Sequence, residues 1–312
     1  DWGPMPDTIP KSGASRCSMG AYTFERLEDE GIPTHYRGIV QGDSVVELEA
    51  ADTPPKEMAV DLARVPDLPH ADGEYLYETY HREAGDVYLV PLEITYRNTI
   101  PADSDLRSRT DPADHGLDLE TWPDEPVTLP EPTVEFTTSF EVTDRSLDRE
   151  AAERLAGEAS LEGLEALARA ANRVVTDRAS AIGLTHLEGR LTCMYDDDTL
   201  KIAGVTGTFD ENRFRSDGTP VSKEFLRDVY RDSDPEWVAA VEDAKLEARV
   251  EGVADWRTRC DIGPKPVPDH VITAVSRLYA AGANAYTGQD LFEAPALEAA
   301  IAKVHRLRDR GR

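Results

Sequence analysis

From Leu184 to Phe209 the chain reads LTHLEGRLTCMYDDDTLKIAGVTGTF, two strand-like runs broken by Asp196, Asp197 and Asp198. Alternating residues on either side of a short acidic turn predict a β-hairpin. SLDREAAERLAG and SLEGLEALARAANRVVTDRASAIG read as helices, the second with Leu161, Leu164, Leu167, Ala168, Ala171 and Val175 at helical spacing.

Upstream, Ser18 to Gly31 reads as an amphipathic helix with a glycine stop. HYRGIV, SVVELEA, EMAVDLARV, GEYLYETYH and DVYLVPLEITYRN read as strands joined by short turns, mostly antiparallel. A polar, Asp- and Pro-rich segment from Thr99 to Pro132 is too long for an ordinary connection, which marks it as functional or mobile. Downstream, Asp234 before Pro235 predicts an N-cap and a helix, and two more helices are expected near Asp269 to Ala281 and Pro295 to Asp309. The expected organisation is α+β: an antiparallel-sheet domain (1–98), a mixed domain carrying the long polar loop, two helices, the hairpin and an Asp/Arg loop (99–233), and a helical C-terminal extension (234–312).

With 61 acidic against 34 basic residues the formal net charge is -27. A surface so acidic repels nucleic acid and anionic membranes. Because the acids are spread over the whole chain, solvation in a salt-rich cytoplasm explains them better than one acidic binding site does. Three cysteines without a CxxC pair fit a reducing cytosol, and no apolar run approaches a membrane span. The chain opens at Asp1 inside a turn-like stretch, so we expect a piece to precede it.

No GxxxxGK[ST], GxGxxG, HExxH or GxSxG signature is present, and the seven histidines lack ligand spacing. What remains is a set of arginines at strand ends. Arg97 stands where PLEITYRN leaves its strand, followed by Ser104, Arg107 and Arg109, a pattern suited to a phosphate or carboxylate. Asp210, Glu211, Asn212 and Arg213 follow the hairpin in the same way: carboxylates for Mg²⁺ and a guanidinium for an anion. Spacing alone leaves open whether either group is a site or a solvated turn.

The order of pieces nevertheless resembles the SAICAR synthetase family, ATP-dependent ligases of purine biosynthesis, over roughly residues 1 to 230. The likeness rests on DWGPMPDTIPKSGASRCSMGAYTFERLEDEGIPTHY, VPLEITYRN and PTVEFTTSFEVTDRSL, and on GLTHLEGRLTCMYDDDTLKIAGVTGTFDENRFRSDGTPVSKEFLRD. It implies an antiparallel-sheet domain beside an α/β domain. The implied reaction phosphorylates the carboxylate of carboxyaminoimidazole ribonucleotide with ATP and Mg²⁺, after which L-aspartate displaces the phosphate. Carried over by position, Arg97, Ser104 and Arg213 are expected to bind substrate. Lys11, Asp144 and Asp210 are expected in catalysis, Asp210 also as a metal ligand, with Glu188 and Arg190 on the ATP side.

Departures accompany the likeness. The family's metal-binding acids fall on Thr192 and on Gly204 or Val205, a lysine expected in VEFTTSF is absent, and the glycine-rich nucleotide hairpin would precede Asp1. A non-catalytic homologue that binds a purine-precursor ribonucleotide, or an enzyme with another acceptor amine or energy source, stands as the alternative. The region after Asp234 exceeds what the family usually carries and is expected to pack, to cover the site or to mediate assembly with other copies.

Overall fold

The computed structural model describes residues 2–3, 5–71, 74–141, 144–253 and 255–311. Helix α1 (Ser12–Asp29) leads into β1 (Tyr36–Gln41), β2 (Ser44–Val46) and β3 (Met58–Val60), then the short β4 (His70–Ala71) and β5 (Glu74–Tyr75). Next come α2 (Tyr77–Ala84), β6 (Val87–Leu89), β7 (Leu92–Ile100), the single turn α3 (Leu106–Arg109), β8 (Val127–Thr138) and β9 (Ser146–Leu147). Helices α4 (Arg149–Ala156) and α5 (Leu161–Ala181) precede β10 (Thr185–Asp196), β11 (Thr199–Ala203), β12 (Asn212–Ser216) and β13 (Thr219–Pro220). The chain ends in α6 (Glu224–Ser233), α7 (Pro235–Glu251), α8 (Asp269–Thr287) and α9 (Leu297–Gly311).

The main sheet has the order β13-β12-β10-β7-β8-β9, with β6 and β11 also pairing to β10, and its ladders are antiparallel. The predicted hairpin is its spine. Asp197 and Asp198 sit at φ 47° and 67°, the left-handed turn geometry that Asp tolerates and that matches strand twist. Leu92, Ile94 and Tyr96 of β7 and Leu191 and Cys193 of β10 are buried in one core with Leu164, Ala168 and Ala171 of α5. A second apolar core joins Met19 of α1 and Val175 of α5 to Phe209, Phe214 and the helices α6 to α9. Strand β7 crosses residue 98, and α8 packs directly on α1, so neither 98 nor 233 is the edge of a separate core.

Three local expectations need correction. GEYLYETYH is strand only at Glu74–Tyr75 (β5) and becomes helix α2 from Tyr77: Tyr80 and Ala84 are buried one helical turn apart, and Tyr80 donates its hydroxyl to the Leu89 carbonyl at 2.7 Å. Gly73 of that stretch lies outside the described residues. The 99–132 segment is ordered by a small apolar cluster of Ile100, Leu106 and Leu129, and by Arg107, which donates to the carbonyls of Ile100, Pro123 and Glu125. Its last residues already belong to β8. Asp234 occupies the N-cap position of α7, but its carboxylate accepts from the backbone N–H (2.9 Å) and Nζ (3.0 Å) of Lys265 instead of capping the helix.

Candidate active site

Alternation along the central strands puts apolar residues toward α5, which leaves the opposite face to Glu93, Thr95 and Arg97 of β7 and to Glu188, Arg190 and Thr192 of β10. Register then decides which of them meet. Glu188 lies opposite Arg97 on one side and Arg213 on the other, and Thr95 opposite Arg190.

The outcome is a row of alternating charges that runs from α3 across four strands to α6. Arg109 meets Glu135 at 2.9 Å, and Glu135 meets Arg97 at 2.6 Å. Arg97 pairs in turn with Glu188, Glu188 with Arg213 at 3.1 Å, and Arg213 with Glu224, which also holds Arg227. Arg109 also pairs with Asp105 at 3.3 Å, so four guanidiniums and four carboxylates interleave in a chain of net charge -27. Burial opposes the charge on Arg97, yet Glu188 and Glu135 outweigh it and hold the pKa above the ordinary value. The row borders a cleft of about 610 Å³ lined by Trp2, Thr99, Glu188, Arg213, Arg227 and Arg231.

Farther along the same face, Arg190 lies between Glu93 (2.9 Å) and Glu211 (2.5 Å). Burial raises the Glu93 pKa, Arg190 lowers it, and Asp144 and Glu211 raise it further. These residues border a cavity of about 490 Å³ with His35, Thr192 and Gly204. An adjoining cavity of about 740 Å³ is lined by Lys11, Ser12, Gly13, Arg16 and Lys56, with Glu211 common to both. Lys11 is the left-handed residue (φ 66°) ahead of α1, so the free N–H groups of that helix start border this space.

The loop from Gly207 to Arg213 joins these places and is held on every side. Thr208 Oγ1 accepts from the N–H groups of Asp210 and Glu211, both at 3.3 Å. Phe209 packs on Gly282 of α8 so closely that a Cβ there would stand 2.1 Å from its ring. Asp210 has one oxygen 3.0 Å from Arg16 and the other taken by the hydroxyl of Tyr279. Both oxygens of the expected metal ligand are thus engaged in fastening the loop.

The structure therefore brings Arg97, Glu188 and Arg213 together, and puts Arg190 beside them on the same face. Lys11 and Asp210 lie toward the α1 side, where Lys11 Nζ donates to the Glu293 carbonyl at 3.0 Å. Ser104 is in the turn after β7, next to Asp103 of the cleft wall, and Asp144 is exposed. Thr192 and Gly204 are neighbours: a Cβ on Gly204 would stand 2.7 Å from Thr192 Oγ1. Neither bears a carboxylate, Glu93 and Glu211 are held by Arg190, and among the described residues no group of three or more His, Cys, Asp or Glu converges. The donor set does not fit a resident Mg²⁺.

Glu93 and Glu135 escaped sequence reasoning although both alternate correctly within their strands. Arg16, Tyr279 and Arg227 come from helices with no local mark of a site.

The family model for SAICAR synthetase matches residues 3–244 of the chain. The chain belongs to the SAICAR synthetase family. Its relatives include a protein of Archaeoglobus fulgidus, provisionally named a phosphoribosylaminoimidazole-succinocarboxamide synthase, 36% identical over 97% of this chain and 89% of the relative. The phosphoribosylaminoimidazole-succinocarboxamide synthase of Thermoplasma acidophilum is 26% identical over 91% of this chain and 88% of its own length. Among solved structures, the SAICAR synthase of Saccharomyces cerevisiae complexed with SAICAR superposes with a TM-score of 0.56 at 16% identity, covering 91% of this chain and 84% of that one. That likeness concerns the fold. This SAICAR synthetase family member keeps the mixed α+β architecture, and among its described residues no helix is long and apolar enough to cross a membrane.

Proposed function

We propose that the chain is an ATP-dependent ligase of purine biosynthesis, joining L-aspartate to carboxyaminoimidazole ribonucleotide to give SAICAR, ADP and phosphate. The observation that carries this reading is the row of closely spaced arginines, Arg97 and Arg213 foremost, on the open face of the sheet, in a member of this family and on a chain otherwise strongly acidic. Three anionic substrates must crowd together in the reaction, and preorganised guanidiniums lower the cost of bringing them there.

In the reaction a carboxylate oxygen of the ribonucleotide attacks the terminal phosphorus of ATP and ADP departs. The aspartate amine then attacks the acyl carbon, the C–O bond to phosphate breaks, and the amine loses a proton. Arg97 and Arg213, with Ser104 beside them, are proposed to bind the ribonucleotide, each guanidinium aimed by Glu188 between them. Lys11 and the start of α1 are proposed to receive nucleotide phosphates, with Arg190 and Glu188 on the side facing them. Asp144 is the proposed acceptor of the amine proton, and Asp210 is proposed to orient the loop that presents Arg213. Magnesium is proposed only as the companion of ATP, not as a resident of the protein. The acidic surface supports a salt-rich cytoplasm as the setting, and assembly of several copies stays a proposal.

The test uses the protein in molar KCl with Mg²⁺, ATP, L-aspartate and the ribonucleotide, following ADP and SAICAR together. Aspartate-dependent formation of both products is expected. Ribonucleotide binding without ADP release would replace this reading with that of a binding homologue.

A further inference from the structure

Arg190 projects from the middle of β10 toward two carboxylates supplied by different elements. Its Nη1 donates to Glu93 Oε2 at 2.9 Å and its Nε to Glu211 Oε2 at 2.5 Å. The hold on Glu211 is doubled by the main chain, since the N–H of Arg190 donates to the Glu211 carbonyl at 3.0 Å. All three side chains are half-buried and border one cavity with Thr192 and Gly204. Asp144 adds a third negative group close enough to act on Glu93.

Carboxylates gathered in a half-buried place need a counter-charge, because each otherwise raises the cost of ionising the others. Two kinds of cation meet that need. A hard divalent ion requires carboxylate oxygens at about 2.0–2.6 Å in its own coordination shell. A guanidinium satisfies the same oxygens through directed N–H bonds and occupies the space between them. Here the second solution is built into the chain.

We infer that Arg190 is the resident cation of this cleft, filling the place between Glu93 and Glu211 that a divalent ion would otherwise take, so that the free protein binds no divalent metal there and such an ion enters only with a nucleotide. The last clause rests on the proposed ATP chemistry; the first rests on the geometry alone. Arg190→Met is the informative change. It removes the guanidinium that both Glu93 and Glu211 bind, leaving Lys223 acting on Glu211 from a distance, beside the cavity of about 490 Å³ that the two glutamates share with Thr192 and Gly204.

The experiment titrates the full chain with Mn²⁺ in molar KCl and reads free Mn²⁺ by electron paramagnetic resonance, with and without ADP. For the wild type we expect no saturable Mn²⁺ site without nucleotide and one with ADP. Arg190→Met should acquire one site without nucleotide, at least about tenfold tighter than any wild-type binding, and adding Glu93→Gln should remove it. Circular dichroism establishes that each variant is folded. A saturable site in the nucleotide-free wild type, lost in Glu93→Gln or Glu211→Gln, would overturn the inference, and that measurement decides even if Arg190→Met does not fold. A folded Arg190→Met that gains nothing would overturn it equally. A gain in Arg190→Met with no ADP-dependent site in the wild type would uphold the role of Arg190 and count against the nucleotide chemistry.

Discussion

His186 Nε2 stands 3.0 Å from Asn212 Oδ1 in the layer beneath the arginine face. That amide oxygen also accepts from Tyr96 Oη at 3.0 Å, and the amide nitrogen donates to the Thr208 carbonyl at 3.2 Å. An oxygen with lone pairs alone fixes the histidine as the Nε2–H tautomer, so Thr176 donates to Nδ1 across 2.8 Å. A Cβ on Gly189 would stand 2.0 Å from Asn212 Oδ1, so only glycine admits this junction. Asn212 directly precedes Arg213, and the buried network thereby sets where β12 begins.

Burial depresses the His186 pKa from 6.5 to about 4. As pH falls below 6.5 the unfolded chain takes up this proton while the folded chain resists it, so stability is intact above that pH and declines toward pH 4. The contribution is on the order of 2–3 kcal/mol by pH 4. Thermal melts from pH 7 to 4.5 should show wild-type Tm falling more steeply than that of His186→Gln. Parallel slopes would remove His186 from the acid response.

Arg97→Ala removes the proposed ribonucleotide contact and also leaves Glu135 and Glu188 without their shared cation. The expected loss is about 2 kcal/mol of transition-state stabilisation, roughly 30-fold in kcat/KM, carried mainly by KM for the ribonucleotide. Arg213→Ala should act alike. Because Glu188 touches both arginines, the double variant should fall short of the sum of the singles. Full additivity of two mild effects would make both arginines surface residues.

Strands β10 and β11 and helix α5 were legible because each follows one period over many residues, and tertiary packing agrees with that period. GEYLYETYH misled because tyrosine favours strands, while the decisive fact, burial of Tyr80 and Ala84 on one side, depends on partners elsewhere in the chain. Arg97 and Arg213 were visible as guanidiniums at strand ends. Their shared carboxylate was visible only through the resemblance, since the pairing of Arg97 with Glu188 spans 91 positions and is set by register. The clasp on Asp210 by Tyr279, 69 positions away, left no trace in either local sequence.

That clasp predicts a division of effects. Tyr279→Phe deletes the hydroxyl on Asp210 but keeps the ring against Phe209, so stability should drop by no more than the worth of one hydrogen bond to a carboxylate, about 1.5–3 kcal/mol. Substrate KM should rise severalfold because the Arg213 loop loosens. Gly282→Ala drives a methyl into Phe209 and should cost about 1–3 kcal/mol of stability. Unchanged KM in a folded Tyr279→Phe would separate α8 from the site.

The net charge of -27 sets the last expectation. Unpaired carboxylates repel over a range that shrinks from about 10 Å at 0.1 M salt to about 3 Å at 1 M. Folding compacts the chain and brings those charges closer, so screening stabilises the folded state more than the unfolded one. Helicity and Tm should therefore rise steeply between dilute buffer and molar KCl. The same melts in sulfate at matched ionic strength separate screening from the added strengthening of apolar burial that sulfate brings. Equal gains in the two salts identify screening, and a gain confined to sulfate identifies the apolar cores. Full helicity in dilute buffer, kept through heating, would mean that charge repulsion does not limit this fold.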